Sequence, residues 1–314
     1  MVAKQNTREY LYKVAKAYYN DNLTQQQIGD RFGLSRVTVS RMLQRARQDK
    51  VVQITINTPE TSNAEMERQI EQRYKLKETV IVTCSDSSPP VVISEIGSVA
   101  ASYLIQTLKG DEVLAISWGH TLLSVVNALP SVNYPDLKVV QLTGGLGELE
   151  AKTHGAELAR RTAQALGGTL RLLQAPGIVK NKGVRDALVN DPQVSGTLEL
   201  ATNADVALVG IGLFDPTSTL LGSNQLSAKE IEDLKKHKAV GDIALKFFNK
   251  DGKKVKSLID ERIVGLSFST IRKINRIIGV AGSKDKFPVI KAALNSGLID
   301  VLITDNETGQ MLLK

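Results

Sequence analysis

The chain has 314 residues and a single cysteine, Cys84. A disulfide within the chain is therefore excluded, and Cys84 reads as a small core residue at a strand end. No apolar run approaches the roughly 18 residues that a membrane-spanning helix needs, and the first residues carry no apolar signal-peptide segment. The expectation is a cytoplasmic, reducing location with no membrane partner. Histidine is scarce as well: His120, His154 and His237 are the only three, and they show no metal-ligand spacing. His237 sits among lysines and reads as a surface residue, whereas His120, next to Trp118-Gly119, could reach a ligand. There is no Walker sequence, no nucleophile elbow and no dinucleotide GxGxxG in a strand–turn–helix setting. No pair of groups forces a catalytic reading. The sequence thus predicts no catalytic residue, no metal and no cofactor.

Positive charge is present and unevenly placed. The net charge is +7, and residues 1–58 hold ten Lys+Arg against four Asp+Glu, leaving the rest of the chain at +1. A generally basic protein would spread that excess; its concentration in one segment is the footprint of a polyanion partner. The length suggests two domains, one small and one large.

The basic segment holds Thr24–Gln48, which reads as two helices joined by a tight turn. Thr24 has the chemistry of an N-cap. Ile28 and Phe32 share a face. Gly29 stands where two helices must cross closely. Gly33 supplies the left-handed backbone that ends a helix cheaply. Ser35 caps the second helix, whose Val39, Met42, Leu43 and Ala46 face inward. Its outward face is polar and cationic without an acid, as a major groove requires. Candidate DNA contacts are Ser35, Arg36, Thr38, Ser40, Arg41, Gln44 and Arg45, with Gln26 from the first helix. Thr7–Tyr19 reads as a third helix behind the pair. Val51–Asn57 is a β-branched run, either a wing or a brace for the helices. The DNA-binding domain is 1–57, and the polar stretch 58–63 is the linker.

The domain 64–314 opens with a helix over Ala64–Tyr74. Strands then alternate with helices. Strands are predicted near Val80–Val82, Val113–Ser117, Lys138–Leu142, Leu170–Gln174, Asp205–Ile211, Arg276–Ala281 and Val301–Ile303. Helices are predicted over Val92–Leu108, Thr121–Leu129, His154–Leu166 and Phe287–Asn295. This pattern predicts an α/β fold with a mostly parallel sheet covered on both faces. Such sheets bind ligands beyond the carboxyl ends of their strands. Those ends carry Ser117, Gly119 and His120; Thr143, Gly144 and Gly145; Pro176 and Gly177; Gly210 and Gly212; and Gly282 to Lys286. Small loops let backbone N–H groups converge on an anion, and the following helix N-termini add their dipoles. Ser117 and Thr143 add hydroxyls, and Lys286 adds charge. The expectation is a phosphate-sized anion site. Asp242 either accepts bonds from ligand hydroxyls or caps a helix.

Several stretches, in order, resemble the SorC family of bacterial sugar-responsive transcriptional regulators, and in particular its deoxyribonucleoside-regulator branch. They are Leu23–Ile28 with Ser35–Leu43, Ser117-Trp-Gly119, Gln141–Gly145, Ala239–Ile243 with Phe247-Phe248, Gly279–Gly282 and Val301–Asp305. The resemblance runs nearly end to end. It implies an effector domain similar to glucosamine-6-phosphate deaminase and ribose-5-phosphate isomerase folds, a phosphorylated sugar as effector, and a tetramer on a palindromic operator. It implies Thr143, Gly144 and Gly145 at the phosphate, Lys286 at phosphate or sugar, and Asp242 at the hydroxyls. Where that branch carries a lysine able to form an imine, this chain has Thr143. The departure argues against a covalent adduct and against deoxyribose 5-phosphate as effector.

Three functions compete on these residues. A DNA-binding regulator, most simply a repressor, that senses a phosphorylated sugar uses both halves of the chain. An isomerase- or deaminase-like enzyme with a DNA-binding head leaves the charged helices unexplained, and a ligand-free DNA binder leaves the anion loops unexplained.

Overall fold

The computed structural model describes residues 2–54, 63–146, 155–216, 218–222 and 225–314. Two compact units emerge, Met1–Thr61 and Ser62–Lys314. The expected linker falls mostly on residues outside those described.

The first unit is three helices: α1 (Val2–Tyr19), α2 (Gln25–Phe32) and α3 (Arg36–Gln48). Thr24 caps α2 through a reciprocal capping box with Gln27, so two orphan N–H groups are satisfied at once. Gly33 ends α2 at φ 67°, and Ser35 caps α3 by accepting from the Thr38 N–H at 3.1 Å. Gly29 is needed for a closer reason than a helix crossing. A Cβ there would stand 2.5 Å from the Leu34 carbonyl oxygen, so the turn itself folds back onto α2. Leu11, Val14, Ile28, Val39, Leu43 and Ala46 form the core of this unit. After α3 the chain runs on through residues 51–54 without strand structure. Val51 and Val52 pack on the helical core, so the described part of the expected wing braces the helices. Residues 55–57 lie outside the described residues.

The second unit runs α4 (Ala64–Tyr74), β1 (Glu78–Val82), α5 (Pro89–Thr107), β2 (Val113–Ile116), α6 (His120–Ala128), β3 (Lys138–Gln141), α7 (Gly155–Leu166), β4 (Thr169–Arg171), α8 (Lys182–Asn190), α9 (Pro192–Thr202) and β5 (Val206–Gly210). It continues with β6 (Gly212–Leu213), α10 (Thr219–Gly222), α11 (Ala228–Lys236), β7 (Ala239–Ile243), β8 (Lys246–Asn249), α12 (Phe268–Ile271), β9 (Arg276–Val280), α13 (Phe287–Asn295), β10 (Val301–Asp305) and α14 (Asn306–Leu313). The predicted strands form one parallel seven-stranded sheet in the order β1-β10-β9-β5-β2-β3-β4. Alternate residues of β2, β3 and β5 enter opposite cores. Ala115, Val140 and Ala207 join one, while Leu114, Val139 and Leu208 join the other. Helix coverage of both faces is what makes these strands apolar throughout. The free edge of β1 is closed by side chains. Glu67 and Glu71 on α4 accept from the N–H groups of Ile81 at 2.9 Å and Thr79 at 2.8 Å.

A second sheet, β6-β7-β8, is antiparallel and was not expected. Asp242 lies in β7, not at a helix start. Cys84 follows β1 and is half-buried against the α5 face of the core, where burial pushes its thiol up to about 11. Among the described residues no helix is long and apolar enough to cross a membrane.

Candidate effector cavity and DNA-reading helix

The sheet order reverses beside β2. The chain leaves β2 toward β3 and β4, and then β5 returns to the other side of β2. Beyond the carboxyl ends of these two strands the loops part, and a crevice must form. Ser117 ties the two ends together: its N–H donates to the Leu208 carbonyl at 3.1 Å, and its Oγ accepts from the Gly210 N–H at 3.4 Å. A cavity of about 280 Å³ opens there, walled by 117–122 after β2, 210–213 after β5, Asp242, Ala244 and Lys286.

The first of these walls is the N-terminus of α6. Gly119, at φ 122°, takes a backbone conformation that L side chains avoid, and it caps the helix without a side-chain bond. His120, Thr121 and Leu122, the first turn of this nine-residue helix, line the cavity, and the N-cap residue makes no side-chain cap bond to their N–H groups, so the helix dipole favours an anion there. Lys286 enters from the loop after β9, half-buried, and donates from Nζ to the Ile211 carbonyl at 3.2 Å. Burial lowers its pKa, while Asp242 and Asp215 pull the other way.

Asp242 is the acidic counterpart. Its β7 position pairs with Gly212 of β6, and a Cβ on Gly212 would collide with Asp242 Oδ1. Oδ2 accepts from the Leu245 N–H at 2.9 Å. Burial raises the carboxyl to about 6, against that bond and the charges of Lys286 and Lys246. A buried carboxylate and a half-buried ammonium on one small cavity can bind a polyhydroxylated molecule from both sides, one accepting and one donating.

Of the residues singled out from sequence, Ser117, Gly119, His120, Asp242 and Lys286 meet at this cavity. Thr143, Gly144, Gly145, Pro176 and Gly177 do not form its described wall. Their loops interlock instead. Gly144 N–H donates to Val264, Gly145 N–H to Ala175 and Gly177 N–H to Gly145, at 3.0, 2.9 and 2.6 Å. A Cβ on Gly144 would meet the Ala175 carbonyl, and one on Gly177 the Gly144 carbonyl at 2.6 Å. The expectation that the Thr143–Gly147 and Gly282–Lys286 loops offer unpaired N–H donors is therefore corrected at four positions. Gly144 and Gly145 are committed to backbone partners, as is the Lys286 N–H to the Ser283 carbonyl, and the Ser283 N–H donates to the side-chain Oδ2 of Asp305; Gly147 lies outside the described residues. Sequence reading did not find the contribution of Leu213, Asp215 and Ser218 to the wall. Asp215 and Ser218 follow a two-residue strand that carries no periodic signal.

In the first unit, all the α3 candidates are exposed while Val39, Leu43 and Ala46 are buried. Their availability differs. The hydroxyls of Ser35 and Thr38 bond each other at 2.8 Å, Arg45 pairs with Asp49 at 3.3 Å, and Gln26 donates to Asp30 at 3.0 Å. Arg36 and Arg41 have no carboxylate partner among the described residues.

Residues 58–314 match the family model described as "Putative sugar-binding domain", and residues 9–61 match a Crp-like helix-turn-helix domain. The deoxyribonucleoside regulator of Bacillus subtilis is 29% identical over 301 residues, covering 96% of each chain. The sorbitol operon regulator of Klebsiella pneumoniae is 29% identical over 97% of each. The transcriptional regulator LsrR of an Enterobacter species is 31% identical over 97% of this chain and 93% of its own. Among solved structures, the full-length sorbitol operon regulator SorC from Klebsiella pneumoniae superposes with a TM-score of 0.75 at 29% identity, covering 98% of both chains. A DeoR family transcriptional regulator from Listeria monocytogenes gives 0.75 at 27% identity, over 80% of this chain and 99% of its own. These relatives are regulators of transcription, and the enzyme reading finds no counterpart among them.

Proposed function

The chain belongs to the SorC/DeoR-type family of sugar-binding transcriptional regulators, and from that premise we propose that it is a cytoplasmic repressor of a sugar or nucleoside catabolic operon, modulated by a phosphorylated sugar. The observation that carries the effector reading is the placement of Lys286 and Asp242 on the cavity that the N-terminus of α6 also lines. The anion belongs at the helix N-terminus and Lys286, where dipole and charge add. The sugar hydroxyls belong at Asp242. Thr143, Gly144 and Gly145, with Pro176 and Gly177, are the further candidates, and Thr143 has a hydroxyl to contribute if the ligand extends toward it. On the DNA side, Arg36, Ser40, Arg41 and Gln44 are the contacts to bases and phosphates. Ser35, Thr38, Arg45 and Gln26 contribute from more committed positions. One helix-turn-helix covers a half-site, so a palindromic operator calls for a dimer or tetramer.

A thermal-shift panel on the full chain tests the effector reading, pairing each phosphosugar with its unphosphorylated parent. A specific effector at 100 times its dissociation constant adds roughly 2.7 kcal/mol of stability. Equal stabilisation by phosphorylated and unphosphorylated sugars would remove the phosphate from the reading. No response to any sugar or phosphosugar would remove the effector.

A further inference from the structure

Val37 is 61% exposed, more than any other large apolar side chain among the described residues. It stands in the first turn of α3, four residues before Arg41 and seven before Gln44, so the three line up along the outward face. Nothing in the helix needs an apolar residue there. A β-branched side chain is a poorer helix former than Ala, Lys or Glu, and Val37 is left mostly exposed in exchange. Its neighbours Met42, Val51 and Val52, by contrast, pack on the core. The polar groups of the same turn are engaged in capping. Ser35 Oγ accepts from the Thr38 N–H, and the two hydroxyls bond each other. What the first turn of α3 presents outward is therefore Arg36 and an isopropyl group.

In a major groove, thymine alone offers an apolar group, its 5-methyl. We propose that Val37 reads sequence by packing its methyls against a thymine 5-methyl, with Arg36 and Arg41 fixing the helix on either side. The inference rests on the reading of α3 as the groove-entering helix. It assigns to this position a preference that hydrogen bonding alone would not produce.

The test uses the full chain. Preferred sequences are selected from a random duplex library, and each thymine of the recovered half-site is then replaced by uracil, which lacks only the methyl. At one thymine per half-site, uracil should weaken wild-type binding about fourfold, the value of one buried methyl-sized group. In Val37→Ala, an exposed substitution compatible with the helix, that replacement should change affinity less than about twofold. The proposal is overturned if every uracil is tolerated by the wild type, if the penalty persists unchanged in Val37→Ala, or if the selected half-site has no thymine. Selection without any preferred sequence would instead remove the sequence-reading role of α3, and this inference with it.

Discussion

Leu245 donates its backbone N–H to Asp242 Oδ2 at 2.9 Å, closing the β7–β8 hairpin from within. The turn itself is Ala244-Leu245, both in left-handed conformation at φ 49° and 62°. Hairpins of this length usually place Asn-Gly there, because other side chains cost roughly 1–2 kcal/mol each in that region. Full burial of Leu245 and the Asp242 bond hold the turn closed. One of the two strained residues, Ala244, lines the candidate cavity beside Asp242. Strain of this kind collects at ligand sites because the surrounding structure can over-determine it.

Asp242 makes stability depend on pH. Its folded pKa, about 6, lies above the ordinary 3.8, so between these values the folded state binds the proton more tightly. The stability tied to this group is complete below about pH 4 and is lost as pH rises through 6, a change of up to roughly 3 kcal/mol. Asp242→Asn keeps an oxygen for the Leu245 N–H and removes the charge. Urea midpoints of the ligand-free full chain between pH 4 and 7 should fall for wild type relative to Asp242→Asn. Parallel curves would show that Asp242 titrates normally.

The edge of β1 gives a prediction independent of any ligand. Replacing Glu67 and Glu71 together by Ala leaves the N–H groups of Ile81 and Thr79 unpaired, at about 1–3 kcal/mol for each that stays buried. It also exposes a template for strand pairing. Glu67→Gln retains an acceptor and, since burial raises the Glu67 pKa, should leave stability at neutral pH unchanged or improved. Urea denaturation with light scattering checks both. A double-alanine variant as stable and as monodisperse as wild type would show that the carboxylates do not protect the edge.

The inner parallel strands were legible because both of their faces are buried, so they read as apolar runs, whereas edge strand β4, Thr169–Arg171, is largely exposed and carries only Leu170 as a signal. The helix-turn-helix was legible because Thr24, Gly33 and Ser35 are capping chemistry at fixed spacing. The small antiparallel sheet was not. One of its strands has two residues, another is interrupted by Gly241 and Asp242, and its turn uses Ala-Leu where the usual signal is Asn-Gly. The strand-end rule located Ser117, Gly119 and His120. It could not separate glycines that admit a ligand from glycines that admit another loop, as Gly144 and Gly177 do for each other. Val37 escaped because periodicity identifies what a helix buries and says little about an apolar residue it leaves out.

The α3 arginines should differ in weight. If Arg41 is bidentate to a guanine, Arg41→Ala costs about 1–3 kcal/mol and relaxes selectivity at that base pair. Arg36→Ala should weaken binding comparably if it reads a base, and evenly across sequences if it meets a phosphate. Arg45→Ala should cost less than Arg41→Ala, because Arg45 is already paired with Asp49. Gel shifts on operator and scrambled duplexes separate these. Wild-type affinity and selectivity in both Arg36→Ala and Arg41→Ala would show that α3 does not read DNA.

The proposed switch makes Lys286 the residue to test. An effector shifts operator binding only by its differential affinity for two states of the protein, typically 1–3 kcal/mol of coupling. Lys286→Met keeps the length of the side chain among its apolar neighbours and removes the ammonium. Losing a charge-assisted bond to the phosphate costs about 1.5–3 kcal/mol, so the effector concentration for half response should rise by roughly ten- to a hundredfold. Operator affinity without effector should not change, since Lys286 lies in the unit Ser62–Lys314 and the α3 residues belong to the other unit. Thr143→Val removes one hydroxyl and no charge, so its midpoint should move less than that of Lys286→Met. Operator affinity measured at rising phosphosugar concentration decides the matter. A midpoint unchanged in Lys286→Met would take Lys286 out of the site, and a larger shift in Thr143→Val would move the phosphate away from the α6 N-terminus toward the Thr143–Gly145 loop.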